Sequence, residues 1–211
     1  MLTFLDSGGS FMYVILFVSI GAFALFCERA VFLYLRLSLN IDKAYLKIMM
    51  LLNTGNYRGA IEECNKIISH PLGRILKSGL LKAGKRDKEI EQAMQESLLR
   101  EVPLLKKRIN YLSMFANVAT LLGLLGTIIG LIAAFQGVSE VAASLKQEVL
   151  SAGISVAMFT TAFGLIVSIP CLMGFYLLNN RSEHLIDQFE EKSLALYNVV
   201  STMKREPQNN A

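Results

Sequence analysis

Residues Tyr111–Val138, YLSMFANVATLLGLLGTIIGLIAAFQGV, carry no charged side chain. A helix rises 1.5 Å per residue, so roughly 20 apolar residues cross the hydrocarbon core of a bilayer. This stretch has length to spare and is predicted to be a transmembrane helix. Val149–Asn180 is equally free of charge, and Phe11–Cys27 forms a third uncharged run closed by Glu28-Arg29. The first ten residues contain Asp6 but no Lys or Arg, and no small-residue cleavage stretch precedes Glu28-Arg29. The first run therefore reads as a membrane helix and not as a signal peptide.

The composition agrees. Of 211 residues, 53% are apolar and 18% are charged, with a mean hydropathy of +0.45. Soluble chains run nearer 25% charged. These values exclude a disordered chain, a disulfide scaffold and a nucleic-acid module dominated by a basic surface, and they argue against an ordinary soluble enzyme. The net charge is +4, and its distribution says more than its size. Residues 28–110 hold 16 of the 21 Lys and Arg beside 9 Asp and Glu, residues 179–211 hold four, 139–148 hold Lys146, and 1–10 hold none. Cations gather on the cytoplasmic side of membrane helices. The expected topology places 28–110 and 181–211 in the cytoplasm, with 1–10 and the turn 139–148 outside.

The segment between the first two spans reads as helical. Ile41–Leu52, Tyr57–Ile68 and Leu72–Ala83 are broken by Asn53-Thr54-Gly55-Asn56 and by Ser69-His70-Pro71. From Lys88 a single apolar face follows: Ile90, Met94, Leu98, Val102, Leu105, Ile109, Leu112, in steps of 4, 4, 4, 3, 4 and 3. It predicts a helix running directly into the second span, with Pro103 as a kink or restart. Pro170 is expected to bend the third span. Arg181–Met203 is predicted to continue inward as a helix, and Glu206–Ala211 to fray. The fold class is an all-α integral membrane protein: three transmembrane helices (11–27, 111–138, 149–180) and a helical cytoplasmic domain.

Catalytic chemistry is sparse. His70 and His184 are far apart, as are Cys27, Cys64 and Cys171, and no spacing predicts a metal site or a nucleophile with its base. No enzymatic activity, metal or cofactor is expected. Intramembrane carboxylates usually mark ion pathways, yet the spans offer only amides and hydroxyls: Asn117, Thr120 and Thr127 in the second, Ser155, Thr160, Thr161 and Ser168 in the third. Any ion passing here needs an ionisable group from a partner. Small residues form stripes. Gly123, Gly126 and Gly130 mark the second span; Gly153, Ala157, Thr160, Gly164, Ser168 and Cys171 mark one face of the third. Such stripes let membrane helices approach closely. Spans two and three should pack tightly, and span one, rich in Phe, Leu, Val and Ile, should lie toward lipid. The interleaved cations of 28–110 suit contact with anionic lipid better than nucleic acid.

Thr120-Leu-Leu-Gly-Leu-Leu-Gly-Thr-Ile-Ile-Gly130 and Gly153-Ile-Ser-Val-Ala-Met-Phe-Thr-Thr-Ala-Phe-Gly-Leu-Ile-Val-Ser-Ile-Pro170 resemble the signature segments of the MotA/TolQ/ExbB proton-channel family, nearest its ExbB/TolQ branch. Glu28-Arg29 and the hairpin Leu52-Asn-Thr-Gly-Asn-Tyr-Arg-Gly-Ala-Ile-Glu-Glu-Cys64 fit the same resemblance. It implies a bacterial inner-membrane channel subunit that forms a pentamer. Spans two and three would line a pore around single-span ExbD/TolR-like helices, and that partner brings the proton-carrying aspartate. The family's pore threonines map onto Thr127 and Thr161. Many ExbB/TolQ sequences carry a glutamate five residues before the second of these; here the position is Val156. That departure leaves open a sodium-driven stator or a non-conducting scaffold of the same fold. Nutrient uptake, envelope maintenance and motility are all powered by the family.

Overall fold

In the computed structural model the described residues are 10–37 and 41–209, with side chains described for 11–37 and 41–203. The expected outer segment 1–10 lies almost wholly outside them. The described residues form helices joined by short turns, with no strand among them. In chain order these are α1 (Ser10–Ala30), a π-helical turn (Val31–Arg36), α2 (Ile41–Asn53), α3 (Tyr57–Lys66), α4 (Pro71–Leu80), α5 (Asp87–Lys106), α6 (Ile109–Glu140) and α7 (Lys146–Asn209). Three stretches, within Phe11–Asn53, Asp87–Glu140 and Lys146–Met203, are long and apolar enough to cross a membrane. The chain is an all-α membrane protein.

The residues divide into two compact units. One contains residues 1–30 and 108–178, hence α1, α6 and the first half of α7. Here α1 packs along α6. Met12 and Ile15, both fully buried, form one cluster with Ala119, Phe163 and Val167, against which Leu16, Val18, Leu122 and Cys171 also pack. Phe26 of α1 overlies Gly174, where an added Cβ would come within 2.8 Å of its ring. The expectation that span one faces lipid is therefore half of its geometry. Tyr13, Phe17, Ile20 and Phe23 are exposed while Met12, Ile15 and Ala22 are buried.

The second unit contains residues 31–107 and 179–211. Helices α2 to α5 pack in sequence, each on the next. The tight turn after α2 needs glycine, since Gly55 has φ +74°, and the Asn56 side chain caps α3 by accepting from the Gly59 amide at 2.9 Å. His70 caps α4: its Nδ1 accepts from the Leu72 amide at 3.1 Å, and Pro71 takes the first helical position, where its missing N–H costs nothing. The His70 Nε2 donates to the Leu37 carbonyl at 3.4 Å, and its ring meets Phe189 edge-on. Burial holds this imidazole at a pKa of about 4, against an upward pull from its backbone bond. Arg74 grips Glu101 with two bonds of 2.6 Å, and its remaining nitrogen donates to the Ile68 and Ser69 carbonyls. Glu101 is buried, and this pairing is what makes its charge tolerable there. The C-terminal part of α7 buries Leu185, Phe189, Leu196 and Val200, and Lys192 pairs with Asp42.

Three expectations need correction. The apolar periodicity through Leu105, Ile109 and Leu112 predicted one continuous helix, but α5 ends at Lys106. Lys107 turns extended (ψ 131°) and Arg108 adopts a left-handed conformation (φ 63°, ψ −5°), after which α6 restarts. Pro103 sits inside α5 and not at the break. It removes one backbone donor a single turn before the end. The tail expected to fray is helical to Asn209, because α7 carries the third span and the C-terminal helix as one 64-residue element. The turn expected over 139–148 is shorter: α6 reaches Glu140 and α7 begins at Lys146.

Candidate functional site

Helices α6 and α7 meet along their small residues. A Cβ added at Gly123 would lie 3.3 Å from the Thr161 Cα and 3.4 Å from the Gly164 Cα. One added at Gly130 would meet the Ala157 Cβ at 3.0 Å, and one at Gly164 the Ala119 carbonyl oxygen at 2.7 Å. At Gly126 it would overlap the Thr160 side chain, and at Gly153 the Ala134 Cβ. The two backbones approach as closely as glycine permits. Ala119 and Ala134, which the sequence reading passed over, complete the stripe of α6. Their spacing with Gly123, Gly126 and Gly130, in steps of 4, 3, 4 and 4, is the signal that could have found them.

The hydroxyls are arranged around this seam. Thr120 Oγ1 lies 2.8 Å from Ser168 Oγ across the two helices and 3.1 Å from the Ala116 carbonyl. Thr160, read as lining an ion path, is 1% exposed and lies inside the seam, its hydroxyl donating to the Val156 carbonyl at 2.8 Å. It is a packing residue here, because α6 offers it Gly126. Thr127 and Thr161 are half-buried at the edge of the seam, and Asn117 and Ser155 are exposed. Thr127 Oγ1 donates to the Leu124 carbonyl at 2.6 Å. Thr161 Oγ1 donates across the pair to the Gly123 carbonyl at 3.1 Å. The helical repeat directs the amide of Thr127 to that same carbonyl, four residues back. A carbonyl has two lone pairs, so Gly123 links the two threonines.

Both threonines face away from α1. Phe163 of α7 packs on α1, and Thr161, two residues earlier, lies about 200° around the helix. On α6, Leu122 packs against the α1 cluster, and Thr127 is five residues on, about 140° around. One flank of the α6–α7 pair is thus covered by α1, and the other presents Thr127 and Thr161. Val156 is half-buried on α7. At the other end of this unit, Arg108 Nη1 reaches both carboxylate oxygens of Glu28, at 3.0 and 3.1 Å.

Among the described residues no group of His, Cys, Asp and Glu could hold a metal ion. The three cysteines are free. Burial raises the Cys64 thiol to about 11, which makes it a poor nucleophile at neutral pH.

Comparison with known proteins follows the same residues. The sequence model of the MotA/TolQ/ExbB proton channel family matches residues 67–191, more than half of the chain, including all of α6 and α7 as far as residue 191. The chain belongs to this family. Relatives lie in its ExbB/TolQ branch. An ExbB-like biopolymer transport protein of Synechocystis is 31% identical over 79% of this chain and 79% of its own length. The biopolymer transport protein exbB1 of Vibrio cholerae is 44% identical over 32% of this chain and 30% of its own length. The Tol-Pal system protein TolQ of Haemophilus influenzae is 34% identical over 43% of this chain and 39% of its own. The match therefore spans under half of the latter two proteins and most of the first.

Proposed function

We propose that this chain is the channel-forming, stator-type subunit of an inner-membrane motor that spends the proton gradient on an envelope process, acting through a single-span ExbD/TolR-like partner. It performs no enzymatic reaction. It assembles as a pentamer, with its N-terminus outside and its basic segments in the cytoplasm. The observation that carries this reading is the flank of α6 and α7 left open by α1. It presents Thr127 and Thr161 in spans that contain no ionisable side chain from 111 to 138 and from 149 to 180 apart from Tyr111, Cys171 and Tyr176. A hydroxylated, uncharged flank suits a pathway whose titrating carboxyl belongs to another chain. Membership of a proton-channel family supports the same conclusion.

The test is proton leak through the complex of this chain with its partner, reconstituted in liposomes under an imposed pH gradient. Thr127→Val and Thr161→Val are expected to reduce the leak at least tenfold with the oligomer intact. Unchanged leak in both variants overturns the assigned flank. Val156, in place of the glutamate of many ExbB/TolQ sequences, favours a second reading as a non-conducting scaffold, and a wild-type complex that never leaks would establish it. A leak carried by sodium and indifferent to pH would replace the proton in the first reading.

A further inference from the structure

We infer that the flank bearing Thr127 and Thr161 accepts hydrogen bonds but does not donate them, and so receives the partner's carboxyl in its protonated form. The inference rests on the channel reading above and specifies the chemistry of its site.

Each of the four threonines in the two spans has a backbone carbonyl for its proton: Ala116 for Thr120, Leu124 for Thr127, Val156 for Thr160 and Gly123 for Thr161. A hydroxyl has one proton and two lone pairs. Once the proton is directed inward, only lone pairs remain for the open side. The backbone amides at this level are taken up by the helices themselves. The amide of Asn117 is exposed, but it lies ten residues from Thr127, about 15 Å along α6. Beside Thr127 and Thr161, therefore, the flank offers oxygen acceptors and apolar surface.

A carboxylate has only acceptors. Placed here it would lose its water and gain no donor. A protonated carboxyl brings the missing donor, its O–H, to either threonine oxygen. Hydrogen bonding to the neutral form of an acid raises its pKa. The threonines thus hold the proton on the partner, and release requires the carboxyl to leave their level. If Thr161 instead turned its proton outward, giving up the Gly123 carbonyl, it would stabilise the carboxylate and lower the pKa. The two arrangements predict opposite signs.

The experiment is infrared titration of the complex, with the partner's aspartates labelled with carbon-13 at the carboxyl, following the protonated C=O band against pH. The wild-type midpoint is expected well above the ordinary aspartate value of about 3.9. Thr127→Val and Thr161→Val are expected to shift it toward acid by about half to one pH unit, while Thr161→Ser leaves it in place. Replacing a hydroxyl by a methyl also makes the site less polar, which by itself raises the pKa, so an acid shift is specific to the lost acceptor. A shift toward alkali, or none, overturns the inference and leaves the channel reading standing. A complex with no titrating carboxyl in the membrane overturns both.

Discussion

Arg108 holds the carboxylate of Glu28 with one nitrogen, 3.0 and 3.1 Å from its two oxygens, across 80 residues of sequence. The contact joins the C-terminal end of α1 to the residue that precedes the first turn of α6. Arg108 is also the one non-glycine residue with positive φ among the described residues. A left-handed conformation costs an L-residue roughly 1–2 kcal/mol. The ion pair, with both partners about half exposed, returns about 1 kcal/mol at most. The break between α5 and α6 is thus supported by tertiary contact and not by local preference.

Substitutions at Arg108 separate these two effects. Arg108→Gly removes the pair but also relieves the backbone, so its thermal stability should stay within about 1 kcal/mol of the parent. Arg108→Ala removes the pair and keeps the strain, and should be less stable than Arg108→Gly by about 1 kcal/mol. Melting of the detergent-solubilised protein decides. Alanine proving more stable than glycine would show that residue 108 is not left-handed in solution.

The seam between α6 and α7 predicts a ranking of glycine-to-alanine variants. At Gly164 the new methyl meets the Ala119 carbonyl oxygen at 2.7 Å, and at Gly153 it overlaps Ala134, where neither neighbour has a side chain able to turn aside. These two should cost about 1–3 kcal/mol each. At Gly21 the nearest atom is a Phe115 ring carbon at 3.8 Å, and alanine there should be neutral or slightly stabilising. Melting temperature and retention of the oligomer on size-exclusion chromatography check the order. Equal behaviour of Gly21→Ala and Gly164→Ala would show that the close approach is not real.

His70 predicts a pH dependence. Its folded pKa is about 4, lowered first by burial, against about 6.5 when unfolded. The unfolded chain therefore binds this proton more readily. The stability contributed by neutral His70 is complete above pH 6.5 and falls by a few kcal/mol as pH drops from 6.5 toward 4. Asn is a good helix cap without a titrating group. His70→Asn should flatten that part of the stability profile while retaining the α4 cap. A profile unchanged by the substitution would assign the acid sensitivity to another group.

Much of this protein was legible because membrane insertion writes itself into composition. The uncharged runs of 111–138 and 149–180 fall within α6 and α7, and the breaks at Asn53–Asn56 and Ser69–Pro71 fall where helices end. Turn chemistry is local, and the sequence carries it whole. The candidate site was legible in its residue types but not in its assignments. Residue type alone grouped Thr160 and Thr161 as neighbouring hydroxyls of the third span. Packing then divided them, because Gly126 makes room for Thr160 in the seam while Thr161 stands at its edge. Nothing in the string shows where a hydroxyl proton goes, since that depends on a carbonyl 38 residues away.

By itself, then, the sequence determined that the chain crosses a membrane, is built of helices and carries small-residue stripes on two of them. Hydrophobicity, charge and the absence of a Cβ act at the position where they are written. Only the tertiary structure decided that the face running from Ile90 to Leu112 breaks at Lys107-Arg108. Periodicity favours a continuous helix there, and a contact 80 residues away, Arg108 to Glu28, supports the alternative. It likewise decided which threonines face out, through the close approach of α6 to α7 and the cover that α1 gives to one side of them.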